Sequence, residues 1–180
     1  NILYAEDTNG DGVADKKEVL FTGFGEGNQQ HRVNGMRWGL NGWLYLANGD
    51  SGGSVRSEKT GKTLNISGRD FRIQPDKGWM ETQSGQTQSG RSRDDNGNWF
   101  GGNNSSPVWH YGLDEGYLGR NPHYAPPKVR HEISQAPGAA PVFPTSRTVT
   151  RFNEFHRANR YTSACSPEIF REACHLNEDP

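Results

Sequence analysis

The sequence predicts an all-β protein of short antiparallel strands, arranged as a propeller rather than a sandwich. Three observations carry this. Gly and Pro are plentiful, with 23 and 10 residues, and the bulk comes from five Trp, six Tyr and eight Phe. Turn signals recur every eight to twelve residues between short apolar runs, as short strands require. A Gly-x-Asn-Gly-x-Leu-Tyr cadence spans Gly39 to Tyr45 and returns in looser form from Asn96 to Phe100. Repeated strand–turn–strand units favour a propeller.

The first element is Ile2 to Glu6 and the second begins near Val19; both are apolar and β-prone. Between them lies a twelve-residue stretch with calcium-loop spacing. Asp7, Asn9 and Asp11 fill positions 1, 3 and 5, Gly12 position 6, Val13 position 7, Asp15 position 9 and Glu18 position 12. Calcium takes six to eight hard oxygen ligands, and Val13 needs to offer only its carbonyl. An EF-hand needs a helix on each side, whereas here strands flank the loop. The expectation is therefore a structural Ca²⁺ that staples a hairpin.

Met36 to Leu46 is the clearest hairpin, turning at Asn41-Gly42, a pair suited to positive φ. Gly49 to Gly53 ends its second strand. Thr63–Ile66 and Asp70–Ile73 read as the next strands, Pro75 to Gly78 as a turn, Trp79–Thr82 as another strand, and Asp94 to Gly97 as a turn into Trp99-Phe100. Residues 1–111 thus read as regular blades. Residues 112–180 read as long irregular Pro/Gly-rich connections, such as Asn121–Pro127 and Ala136–Pro141, with the start of a further blade. Phe152 to Tyr161 reads as a short helix or an irregular segment. The chain opens without Met inside a strand-like run and stops at Asp179-Pro180, so it reads as a partial propeller domain, 1–180, of a longer parent protein.

Composition narrows the function classes. The hydrophobic share is 31%, and adding Gly brings it to an ordinary globular value of about 45%. The net charge of −1 gives no attraction to nucleic acid or anionic membranes. No apolar run reaches membrane-spanning length. Cys165 and Cys174 sit in no haem-attachment motif, and spacing alone does not decide whether they pair. The sequons at Asn65, Asn103 and Asn104 are of a kind that arises by chance in an Asn/Ser-rich chain.

His31 lies in a polar loop just before the clear hairpin, and Asp50 lies at its far end. A hairpin returns the chain to its starting edge, so the two side chains are placed to meet. A His held by a carboxylate is the physical form of a general base. A surface or structural His is the alternative.

From His31 through Gly35, Trp38-Gly39-Leu40-Asn41-Gly42-Trp43-Leu44-Tyr45 and Gly49-Asp50, the chain resembles the soluble glucose/sorbosone dehydrogenases, six-bladed β-propellers that use pyrroloquinoline quinone (PQQ) and calcium. Gly23 to Gly35, Ser84 to Arg91 and Arg120 to Pro127 are similar to one branch, the propeller proteins of planctomycetes described as membrane-bound dehydrogenases. The resemblance implies about three to four of six blades in this chain. It implies His31 as the base that takes a substrate hydroxyl proton and Asp50 as its orienting residue. It implies a sugar or other alcohol as substrate, a cytochrome c segment elsewhere in the parent, and a periplasmic, secreted or cell-envelope setting. The family's Gly-His-Arg-Asn-Pro motif, whose Arg contacts the quinone, is replaced by Gly85 to Gly90. An anionic tricarboxylate without its Arg binds poorly; Arg91 and Arg93 are the residues that could substitute. The alternative is a non-catalytic module that binds carbohydrate or protein, with Trp38, Trp43, Trp79, Trp99 and Trp109 as stacking surfaces.

Overall fold

The structure, a computed structural model, describes residues 1–125, 128–133 and 164–171. The described chain is nearly all β: three four-stranded antiparallel sheets and one short helix, a propeller-like fragment. In chain order the strands are β1 (Ile2–Glu6), β2 (Lys16–Phe24), β3 (Asn34–Trp38), β4 (Leu44–Ala47), β5 (Gly53–Ser57), β6 (Thr63–Asn65), β7 (Asp70–Gln74), β8 (Trp79–Gln83), β9 (Ser92–Arg93), β10 (Trp99–Gly101), β11 (Trp109–Tyr111) and β12 (Arg130–Glu132). The helix α1 (Glu115–Leu118) follows β11 and is capped by Asp114, whose side chain accepts from the Gly116 N–H.

The chain does not finish one sheet before starting the next. The first sheet has the order β1-β2-β5-β6 and the second β3-β4-β7-β8. The β5–β6 hairpin is therefore an excursion from the second sheet that pairs along β2 of the first, with Phe21 opposite Ser57 and Thr22 opposite Arg56. The third sheet is a simple meander, β9 to β12. Its last strand lies within 112–180, the stretch read as irregular connections and the start of a further blade. Ala136–Pro141, Phe152–Tyr161 and Cys174 lie outside the described residues.

The second sheet is the middle layer, and strand alternation gives its two faces different chemistry. Leu44, Leu46, Phe71, Ile73 and Met80 face the first sheet, where they join Ile2, Phe21, Val55 and Ile66 in an apolar core. Each fully buried Leu, Ile or Phe there contributes about 1.5–3 kcal/mol. Tyr45 and its cross-strand partner Arg72 take the other face. They meet Trp99, Trp109 and Tyr111 of the third sheet in a second, aromatic and polar layer. Trp99 and Trp109 are thus core residues, while Trp38 and Trp79 stand exposed.

Candidate functional site

His31 ends a one-turn 3₁₀ segment, Gln29–His31, whose first turn is held by Asn28 accepting from the Gln30 N–H. The hairpin β3–β4 brings the chain back beside it, and the Ser51 N–H donates to the His31 carbonyl at 3.0 Å. Asp50 sits at this return with φ 68, a left-handed conformation costly for any residue but Gly, and one that Asp tolerates better than most. His31 and Asp50 therefore share one loop edge, joined by their backbones.

Their side chains make no hydrogen bond to each other. Each pairs with a Gln of the Gly85 to Gly90 loop. Gln86 Nε2 donates to Asp50 Oδ1 at 3.0 Å, and Gln88 Nε2 lies 3.0 Å from His31 Nε2. The Gln88 amide has only one orientation open to it, because the Asn104 N–H donates to its Oε1 at 2.9 Å. Its NH₂ must then face the imidazole. An amide NH₂ can only donate, so His31 Nε2 accepts and Nδ1 carries the ring hydrogen. Asn34 clamps the same loop, donating to the Gln88 carbonyl at 2.9 Å and accepting from the Gly90 N–H at 2.6 Å. Nothing in the pattern of residues marks Gln86 and Gln88 as partners. They arrive from beyond the second sheet, at the positions where the resembling enzymes carry another motif.

The Asp7 loop closes the β1–β2 hairpin, as its flanking strands predict. Asp7 accepts from the Gly10 and Gly12 N–H groups at 2.7 and 2.8 Å. Asn9 accepts from the Asp11 N–H, and Asp11 from the Val13 N–H. These short bonds curl the loop. The Gly12 and then the Gly10 N–H hold the Asp7 carboxyl below its ordinary value. Asp15 is turned to Thr8, which donates to it at 2.8 Å, and Glu18 stands in β2 opposite Tyr4. Among the described residues no three His, Cys, Asp or Glu side chains converge as a metal cluster. The residue types calcium prefers are present in sequence at Asp7, Asn9, Asp11, Asp15 and Glu18, but their side chains do not converge here.

Arg91 and Arg93 belong to the layer between the second and third sheets. Arg91 is 3% exposed. Its guanidinium stacks 4.2 Å from the Tyr111 ring and 5.3 Å from Trp99, with Nη1 3.4 Å from Asp70 Oδ2. Asp70 is fully buried and accepts from the Asn48 N–H, the Thr87 N–H and the Thr87 hydroxyl. Burial pushes its carboxyl up, and Arg91 opposes that. The Tyr111 hydroxyl lies 2.5 Å from both Thr87 Oγ1 and Trp109 Nε1, and burial is the main cause that raises its pKa to about 12. Arg93 donates to the Trp38 and Asp94 carbonyls. Arg91 thus lies in the buried layer between the sheets and Arg93 on main-chain carbonyls, and neither of these two residues that could substitute at a quinone is presented at the His31 edge.

Residues 1–178 match the family described as a domain of unknown function, DUF7133. No curated protein and no solved structure matches the chain. Among the described residues no helix is long and apolar enough to cross a membrane.

Proposed function

We propose, for a chain that belongs to the DUF7133 family, that the His31–Asp50 edge binds a hydroxyl of a sugar or other alcohol and that His31 accepts its proton. The supporting observation is the fixed Gln88 amide, which makes His31 Nε2 an acceptor. A substrate hydroxyl that takes the place of Gln88 at that lone pair can transfer its proton to the ring. Asp50 is the positioning residue. It is exposed, and turning from Gln86 to the Nδ1 side of the ring would fix the tautomer and stabilise the cation.

Oxidation of the alcohol then needs a separate two-electron acceptor. The placement of Arg91 and Arg93 argues against PQQ held by these two residues. A quinone-type acceptor, an outlet through a cytochrome c segment and a cell-envelope setting follow from the family resemblance alone. Calcium at the Asp7 loop would hold the β1–β2 hairpin and take no part in the chemistry.

A second reading, a carbohydrate-binding module without redox activity, is favoured by Asp50 bonding Gln86 instead of His31. Two amides, a carboxylate and an imidazole on one edge are hydroxyl-binding groups in their own right. One experiment separates the readings. Sugars and simple alcohols are offered with a soluble dye acceptor, and binding is followed in parallel by NMR of the Gln side-chain amides. The enzyme reading expects oxidation that falls about 10²–10⁴-fold in His31→Ala with the fold intact. Shifts at Gln86 and Gln88 without oxidation would leave the binding module. Neither response would sink both.

A further inference from the structure

We propose that the His31 edge recognises a vicinal diol, with one hydroxyl on His31 Nε2 and the neighbouring oxygen on the Asn104 N–H, and that the Gln88 side chain fills this place until the diol displaces it. The inference rests on the hydroxyl-binding reading of that edge. It adds the class of ligand and the residue that selects it.

The Gln88 amide is held at both ends by groups from different parts of the chain. Its Nε2 lies 3.0 Å from Nε2 of His31, just ahead of β3. Its Oε1 accepts at 2.9 Å from the Asn104 N–H, in the loop between β10 and β11. Neither group owes its place to Gln88. The His31 N–H donates to the Asn28 carbonyl, and its carbonyl accepts from Ser51, both at 3.0 Å. The Asn104 loop is closed by the Asn103 side chain, which accepts from the Ser105 and Ser106 N–H groups at 3.0 and 2.7 Å. An acceptor and a donor thus face each other across the width of one amide. A ligand that takes the amide's place must give a donor to His31 and an acceptor to Asn104 from adjacent atoms. Two hydroxyls on neighbouring carbons do both. A lone hydroxyl serves His31 and leaves the Asn104 N–H unmatched, which a site built to pair that group penalises.

Only a side chain has to move. Gln88 is 5% exposed, so withdrawing its side chain frees a space of its own size. The main chain stays, with the Gln88 N–H on the Gly102 carbonyl at 3.1 Å and the Gln88 carbonyl accepting from Asn34. Gln88 therefore competes with every ligand, and apparent affinity falls by the fraction of time it fills the site. A diol replaces both of its bonds; a monohydric alcohol replaces one and is screened out.

The test uses the full chain with two probes of like shape, a trans-cyclohexanediol with neighbouring hydroxyls and cyclohexanol. The diol is expected to move the Asn104 amide and the His31 ring-nitrogen NMR signals together, with cyclohexanol at least about tenfold weaker, the penalty of one unmatched donor. Gln88→Ala should bind the diol several-fold more tightly in a protein that still melts cooperatively, because the competitor is gone. Equal affinities for the two probes in the unaltered chain would overturn the proposal. So would a His31 response without one at Asn104, or a folded Gln88→Ala that binds the diol more weakly. Oxidation with the dye acceptor, followed in the same samples, separates this inference from the base reading. Paired shifts without oxidation keep the diol site and remove the base; oxidation of both probes at equal rates keeps the base and overturns the diol site.

Discussion

Gly35 and Gly90 meet backbone to backbone: a β-carbon on Gly35 would fall 2.3 Å from the Gly90 α-carbon. This contact lets Asn34 reach the 85–90 loop and hold the two glutamines against His31 and Asp50. Gly35→Ala should therefore destabilise twice over, through the overlap and through the positive φ of 64 at that position. The expected cost is about 1–3 kcal/mol, read as a lowered midpoint in urea melts. A variant as stable as the parent would show that the two loops are not in register here.

Tyr111 predicts a failure of stability in alkali. Its pKa is raised to about 12 in the folded chain, from an ordinary 10. A raised folded value means the contribution is complete below pH 10 and is lost as the pH climbs from 10 to 12. The size is on the order of 2–3 kcal/mol. Urea melts at pH 9 and pH 11.5 measure it. Tyr111→Phe should flatten this dependence, while costing about 1–3 kcal/mol at neutral pH by leaving the Trp109 N–H without its acceptor. An unchanged alkaline slope in that variant would assign the loss to other groups.

Calcium gives a third prediction. If the Asp7 loop takes the ion, calcium at a hundredfold over its dissociation constant adds about 2.7 kcal/mol, and chelator removes it. Asp7→Ala takes away the carboxylate around which Gly10 and Gly12 curl, and should abolish the response. A melting temperature indifferent to calcium in the unaltered chain would retire the site.

Val55 tests the exchanged hairpin. It lies on β5, fully buried in the core between the first two sheets. Val55→Ala should cost on the order of 2 kcal/mol. Hydrogen exchange should quicken in β4 and β7 as well as in β1 and β2. Loosening confined to the β5–β6 hairpin would mean it is a separable flap.

How far the sequence could be read divides along the layers. The β1–β2 hairpin, the Asn41-Gly42 turn and strands β7 and β8 were visible because each follows from neighbours a few positions apart. The layer between the second and third sheets was not. Asp70, Arg91 and Tyr111 are about twenty positions apart from one to the next, and each alone reads as an ordinary polar or strand residue. Arg91 therefore stood in the sequence only as a residue that could substitute at the cofactor. The His31–Asp50 edge falls between: the hairpin foretold that the backbones return to one place, which they do. It could not foretell that Gln86 and Gln88 would arrive from another part of the chain and take both side chains.

The excursion of β5 and β6 has a consequence for how such a chain could lengthen or shorten. Two strands of the first sheet are encoded between two strands of the second. A single sheet is thus not a contiguous stretch of gene, and copying or excising one would tear its neighbour. The smallest segment that could be duplicated, deleted or recombined whole is the interleaved pair of sheets, from β1 to β8.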